Sequence, residues 1–154
     1  MVLLNTLKYI LDTCTIFNLF RQGEKSENIR KNFLKNNLNQ AGSKIYISVI
    51  TVQEIIYGIE KVALKKGKEY KRKDFDKILL FLNKETVKIP YTTEMAEKVG
   101  RIKAKMESKG LNYGDDTDLM IAATATELGF TVITENIKHF KNIPDLQYED
   151  WTVI

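Results

Sequence analysis

Four short, largely apolar runs, each separated from the next by segments of helical periodicity, limit this chain more than any other feature. They are Tyr9-Ile10-Leu11-Asp12, Ile45-Tyr46-Ile47-Ser48, Val87-Lys88-Ile89 before Pro90, and Phe130-Thr131-Val132-Ile133-Thr134. Runs this short are too brief for helices, and apolar continuity rather than alternation marks strands covered on both faces. Strands alternating with helices predict a parallel sheet, so the expected fold class is α/β, a three-layer α/β/α sandwich around a short, mostly parallel sheet.

The intervening segments supply the two helical layers. A helix over Ile16–Arg21 ends at Gly23. Ser26–Asn37 carries Ile29, Phe33 and Leu34 on one face. Thr51 opens a helix whose buried stripe is Val52, Ile55, Ile56, Ile59 and Val62 or Ala63, and Phe75, Ile78, Leu79 and Leu82 mark its partner. Thr51–Leu82 therefore reads as a helical hairpin with a cationic bend at Lys65, Lys66, Lys68, Lys71, Arg72 and Lys73. Thr92 or Thr93 caps a helix through Met95, Val99, Ile102 and Met106 to Gly110. Trp151-Thr152-Val153-Ile154 reads as an edge strand. At 154 residues and 44% hydrophobic, the chain is expected to form one domain, residues 1–154, with a core of its own. No apolar run has membrane-spanning length and no leader pattern is visible, while a single Cys14 suits a reducing cytoplasm.

Acids cluster where this topology would place a ligand. Asp115-Asp116-Thr117-Asp118 sets three carboxylates at the mouth of an apolar helix, more than capping requires. Asp12 ends the first strand, Glu54 follows the second by one helical turn, and Glu135-Asn136 closes the fourth. In open α/β sheets ligands bind beyond the carboxyl ends of the strands, so these side chains are expected to share one rim. Carboxylates gathered that way repel, and a cation is the usual remedy. An all-oxygen set without a Cys/His cluster selects Mg²⁺ or Mn²⁺ over zinc. Such an ion activates water and neutralises charge on a phosphodiester, and a basic surface beside it would hold the phosphate backbone.

Each residue also has a plainer role. Thr51-x-x-Glu54 fits a capping box, Asp12 and Asp115 fit helix caps, and the Lys65–Lys73 run fits a solvated bend. His139 reads as a surface or core-edge side chain, and Cys14 as a small buried hydrophobe. Caps alone do not explain why the acids all fall at the same end of the sheet.

Taken in order, Ile10-Leu11-Asp12-Thr13, Ser48 through Gly58, Asp118 through Ala125, Val132-Ile133-Thr134-Glu135-Asn136 with Phe140, and Glu149-Asp150-Trp151 resemble the PIN-domain ribonucleases, specifically the VapC toxins of VapBC toxin–antitoxin pairs. The resemblance implies a metal-dependent endoribonuclease, a hydrolase using Mg²⁺ or Mn²⁺, that cuts tRNA or another structured RNA. It further implies a cognate VapB-like antitoxin, a homodimer and a cytoplasmic setting. The catalytic and metal-binding acids would be Asp12, Glu54 and Asp118, with Asp116 as auxiliary ligand or cap. Thr13, Thr134 and Asn136 would support them as donors. The chain departs from the pattern at the fourth acid: Asn136 stands where many relatives have Asp and His139 where some toxins carry an acid, leaving Glu135 as a substitute. Cys14 replaces a usual Asn. Two other functions compete: a nuclease of this fold acting on DNA or in RNA processing outside a toxin–antitoxin system, and a non-enzymatic Mg-binding signalling module. The latter requires paired acids after the first strand, where this chain has Asp12 alone.

Overall fold

The computed structural model describes the backbone of residues 7–154 and, apart from positions 68 and 70–74, their side chains. The elements run β1 (Tyr9–Leu11), α1 (Thr13–Phe20), α2 (Glu24–Lys35), β2 (Ile45–Ser48), α3 (Val49–Lys66), α4 (Lys68–Lys84), β3 (Thr86–Ile89), α5 (Thr93–Ser108), α6 (Asp116–Leu128), β4 (Thr131–Ile133), α7 (Ile137–Phe140) and β5 (Gln147–Glu149). The five strands lie in the order β3-β2-β1-β4-β5. Every pairing is parallel, with Ile10 opposite both Tyr46 and Val132. Parallel neighbours need crossovers, and the helices supply them on both faces, giving the expected α/β sandwich.

Side-chain alternation divides the core in two. Ile10 and Val132 point to the face covered by α5 and α6, where they meet Val99, Met106, Leu119 and Ile121. Tyr9, Leu11, Ile47 and Ile133 point to the face covered by α1 to α4, where they meet Ile16, Ile55, Ile59 and Phe81. The central strands β1 and β4 are buried throughout, which is why their sequences are largely apolar.

Several boundaries differ from the sequence reading, each for a local reason. Helix α1 starts at Thr13 rather than Ile16 because Asp12 caps it, accepting the Thr13 N–H at 2.6 Å. Gly23 (φ 121°) precedes α2 as its cap residue, so that helix starts at Glu24 rather than Ser26. Helix α3 starts at Val49, two residues before the Thr51 expected to cap it: Ser48 Oγ accepts the Ile50 N–H at 3.1 Å. Thr51 lies inside the helix, fully buried, with no partner for its hydroxyl. Ile56, assigned above to the buried stripe, is 40% exposed.

The edge-strand assignment to Trp151–Ile154 is corrected. The edge strand is β5, whose Gln147 and Glu149 are exposed, so its composition gives no apolar signal. Trp151 lies beyond it as a core plug. Its ring meets Tyr9 and Phe33 edge-on at 4.9 and 5.9 Å, and its Nε1–H donates to Glu149.

Ser48 and Thr51 should behave oppositely in urea unfolding. Ser48→Ala removes a cap and is expected to cost about 1 kcal/mol. Thr51→Val removes a hydroxyl that gains nothing in the folded state, so its stability should equal or exceed that of the wild type.

Candidate active site

The carboxyl edge of the sheet opens into a cleft of about 320 Å³. Its acids arrive from separate elements: Asp12 from the junction of β1 and α1, Glu54 from the first turns of α3, and Asp115 and Asp118 from the start of α6. A larger depression of about 430 Å³ lies beside Trp151 and contains Glu149 and Asp150. There Glu149 accepts from Trp151, and Asp150 from the backbone and hydroxyl of Thr152.

Asp12 is only 2% exposed. One carboxylate oxygen takes the Thr13 N–H. The other takes the Thr134 hydroxyl at 2.8 Å and the Cys14 thiol at 3.2 Å. Burial pushes its pKa up, the three donors resist that shift, and Glu54 adds repulsion; the net direction is upward. Thr134 is held in turn by the Asn136 N–H, donated to its Oγ1 at 3.0 Å.

Glu54 is fastened at both oxygens, by the Thr13 hydroxyl at 2.5 Å and the Thr117 hydroxyl at 2.7 Å. Thr117 Oγ1 also lies 2.7 Å from Asp115 Oδ1. A hydroxyl has one proton, so Thr117 can serve only one of these carboxylates at a time. Two negative oxygens compete for a single donor.

Asp118 and Asp115 form a reciprocal capping box at the start of α6, each carboxylate accepting the other's backbone N–H. Asp118 Oδ2 also meets His139 Nδ1 at 2.9 Å. Burial first, then the charges of Asp115 and Asp12, push the Asp118 pKa up to about 6. Burial opposes ionisation at Asp115 as well, but the Thr117 hydroxyl and the Asp118 and Thr117 N–H groups outweigh it and leave that carboxyl below its ordinary range.

The site differs from its sequence forecast at several residues. Asp116 does not join the cleft: it occupies the first helical position, points outward and pairs with Lys103 at 2.8 Å. Asp115 lines the cleft instead, since a capping residue turns its side chain back across the helix mouth. Glu135 reaches the rim but is paired with Lys25. Burial works to raise its pKa, and Lys25 with Asn18 and Arg21 nearby overcomes this, leaving the carboxyl below the usual range. His139, half-buried at the core edge, forms a wall of the cleft. Cys14 lines the cleft too, with its thiol pushed up to about 12 by burial and by Asp12, so it stays protonated.

Gly114, in the loop before α6, is a site residue that the sequence analysis does not single out. With φ +78°, a Cβ there would stand 2.2 Å from Asp118 Oδ2 and 2.7 Å from the His139 ring. The visible signal was its place just before the helix cap. Of the basic hairpin residues, Lys65 and Lys66 lie eleven and twelve positions beyond Glu54 on α3, about 17 Å along the axis. The side chains of Lys68, Lys71, Arg72 and Lys73 lie outside the described residues.

Among the described residues no three His, Cys, Asp or Glu side chains stand in metal-ligating geometry, because each carboxylate is turned onto a protein donor. The chemistry of the set nevertheless fits a hard divalent ion. Asp12, Glu54 and Asp118 offer only carboxylate oxygens, two of them have raised pKa values, and Thr117 is one proton short for its two acceptors.

Comparison with known proteins adds independent findings. The family model described as "PIN domain" matches residues 9–146. The tRNA(fMet)-specific endonuclease VapC of Salmonella typhimurium is 36% identical over 145 residues, covering 94% of this chain and 98% of that protein. Ribonuclease VapC2 of Haemophilus influenzae is 30% identical, with 94% and 98% covered. Among solved structures, VapBC2 from Rickettsia felis bound to a DNA fragment from its promoter superposes with a TM-score of 0.73 at 30% identity, covering 94% of this chain and 99% of the other. DNA-bound VapBC from Salmonella typhimurium gives 0.74 at 34%, with 94% and 98% covered.

The raised pKa of Asp118 makes a signed prediction for the metal-free protein. Well below pH 3.8 the carboxyl is neutral whether folded or unfolded. As pH rises the unfolded chain loses its proton first, so stability falls until the folded pKa near 6 is passed. Asp118→Asn should therefore melt higher than the wild type at pH 7.5 in EDTA, with the advantage shrinking toward pH 4.5. A pH-independent difference would contradict the crowding.

Proposed function

Because this chain belongs to the PIN-domain family and, within it, to the VapC ribonucleases, we propose that it is a metal-dependent endoribonuclease of a toxin–antitoxin pair, hydrolysing phosphodiester bonds in tRNA or another structured RNA. The observation that carries this reading is the gathering of Asp12, Glu54 and Asp118 in one cleft, where Glu54 must share the single Thr117 hydroxyl with Asp115. These three would hold Mg²⁺ or Mn²⁺. Bound there, the ion would supply activated water and charge neutralisation at the scissile phosphate.

The chain's other residues position these acids. Thr13 and Thr117 fix the Glu54 carboxylate, Thr134 and Cys14 fix Asp12, and His139 with the Asp115 N–H fixes Asp118 in the space that Gly114 leaves by lacking a Cβ. Cys14 acts as a donor; a thiol with a pKa near 12 gives no thiolate at neutral pH for covalent chemistry. Lys65, Lys66, Lys68, Lys71, Arg72 and Lys73 would contact outlying phosphates of a large RNA, since α3 carries them away from the acids.

The VapBC complexes among the structural relatives support a VapB-like antitoxin as the partner that silences the cleft. Pairing of two copies and a cytoplasmic site of action belong to the same proposal. No helix among the described residues is long and apolar enough to cross a membrane.

Purified protein should cut unfractionated tRNA in Mg²⁺ or Mn²⁺, stop in EDTA, and leave DNA oligonucleotides of matched sequence intact. Asp118→Asn should lower the cleavage rate by about a hundredfold or more, the scale of losing a metal-anchoring charge. Equal cleavage by the variant would refute this mechanism, and preferential DNA cleavage would favour the rival nuclease.

A further inference from the structure

Acids dominate the lining of the cleft, and Phe17 on α1 is its one purely hydrocarbon side chain. A phenyl ring there gives the carboxylates neither a proton nor a charge. Phe17 packs in part against the core on the α1 to α4 face and stays partly exposed where it borders the cleft. The tip of its ring rests on bare backbone of α3: a Cβ at Gly58, one helical turn beyond Glu54, would stand 3.5 Å from Phe17 Cζ. The ring thus reaches across the gap between α1 and α3 as a shelf at the cleft wall. It belongs to none of the aromatic pairs among the described residues, so no other ring engages its π-face.

An RNA strand crossing this cleft is repelled by Asp12, Glu54, Asp115 and Asp118, so part of its attachment must come from a contact indifferent to charge. Stacking of an unpaired base on an aromatic ring is such a contact, and its loss typically lowers affinity about tenfold or more per base. Phe17 stands five positions beyond Asp12, about 7.5 Å along the axis of α1. That offset suits a base beside the scissile phosphate and is too long for the reacting group itself. Arg21, one helical turn further on, carries the only Lys or Arg charge of the lining, so this wall is also where a polyanion is least repelled.

We infer that Phe17 is the platform on which an unpaired base of the RNA stacks, next to the phosphate that the acids address. This inference rests on the ribonuclease reading and deepens it. A base must leave its duplex to reach the ring, so the nucleotide beside the cut is an unpaired one, and the stack sets the register in which the strand crosses the acids.

The test measures affinity, stability and stacking separately. Fluorescein-labelled unfractionated tRNA is titrated with each protein in Ca²⁺ at several salt concentrations, and melting is followed without RNA. Phe17→Leu keeps an apolar side chain on the core and removes the ring. It should melt close to the wild type and bind tRNA about tenfold more weakly, with the slope of log affinity against log salt unchanged because no phosphate contact is lost. Phe17→Trp should bind within about twofold of the wild type, and unlabelled tRNA should quench the indole it introduces, since a base can stack on either ring. The wild type, whose single Trp151 is buried, is the control for that signal. Wild-type affinity in Phe17→Leu would overturn the platform. Should Phe17→Leu fail to fold, Phe17→Trp decides alone: indole emission unmoved at saturating tRNA would overturn the platform, and quenching would support it. Weakened capture of a VapB-like antitoxin by Phe17→Leu with unchanged tRNA affinity would overturn it too, by assigning the ring to that protein. A wild type that binds no tRNA would instead remove the ribonuclease reading, and the platform with it.

Discussion

Competition among carboxylates for too few protons governs the carboxyl edge of this sheet. Asp12 and Asp118 are nearly buried, and the charge of Asp12 raises the cost of ionising Asp118 as that of Glu54 does for Asp12. Glu54 and Asp115 contend for one Thr117 hydroxyl. A fold seeking stability alone would disperse these groups or pair them with basic side chains, as it does with Asp116 on Lys103 and Glu135 on Lys25. The contrast separates the acids that serve solubility from those kept unneutralised, and the second group is the one that a divalent cation would complete.

The parallel topology makes this concentration possible. Because each strand enters the sheet in the same direction, β1 and β2 end, and α6 begins, at one rim. Short polar side chains then serve two ends at once. Asp12 caps α1 while facing the cleft, Thr13 opens that helix while fastening Glu54, and the Asp115–Asp118 box closes the mouth of α6 while aiming Asp118 at His139. Helix starts are rigid because their free N–H groups are satisfied, so acids mounted on them hold their positions. Capping and ligand binding, which compete as readings of the sequence, are carried out by the same atoms.

Much of this was legible from the chain alone. The short apolar runs determined the strands because β1, β2 and β4 are screened by helices, and the positions of Asp12, Glu54 and Asp118 after them determined the rim. Legibility failed where a side chain's direction matters more than its place. Asp115 and Asp116 are adjacent acids, and only the turn of the capping residue decides which faces inward. Ser48 outranks Thr51 as the cap because β2 runs into α3 without a loop. His139 and Gly114 belong to the site through contacts of a kind no spacing encodes: a ring nitrogen brought up by α7 and a missing Cβ. Strand β5 was lost for the opposite reason, since an exposed edge needs no apolar residues, while Trp151 beyond it drew attention by its size.

The central claim is that the crowded carboxylates form a seat for a divalent cation, and crystals grown in Mn²⁺ test it most directly. Anomalous scattering at the manganese edge should give a strong peak bounded by Asp12, Glu54 and Asp118, with Asp116 and Glu135 still on their lysines. A saturating soak that leaves this cleft without a peak, or that seats manganese on other side chains, would contradict the account.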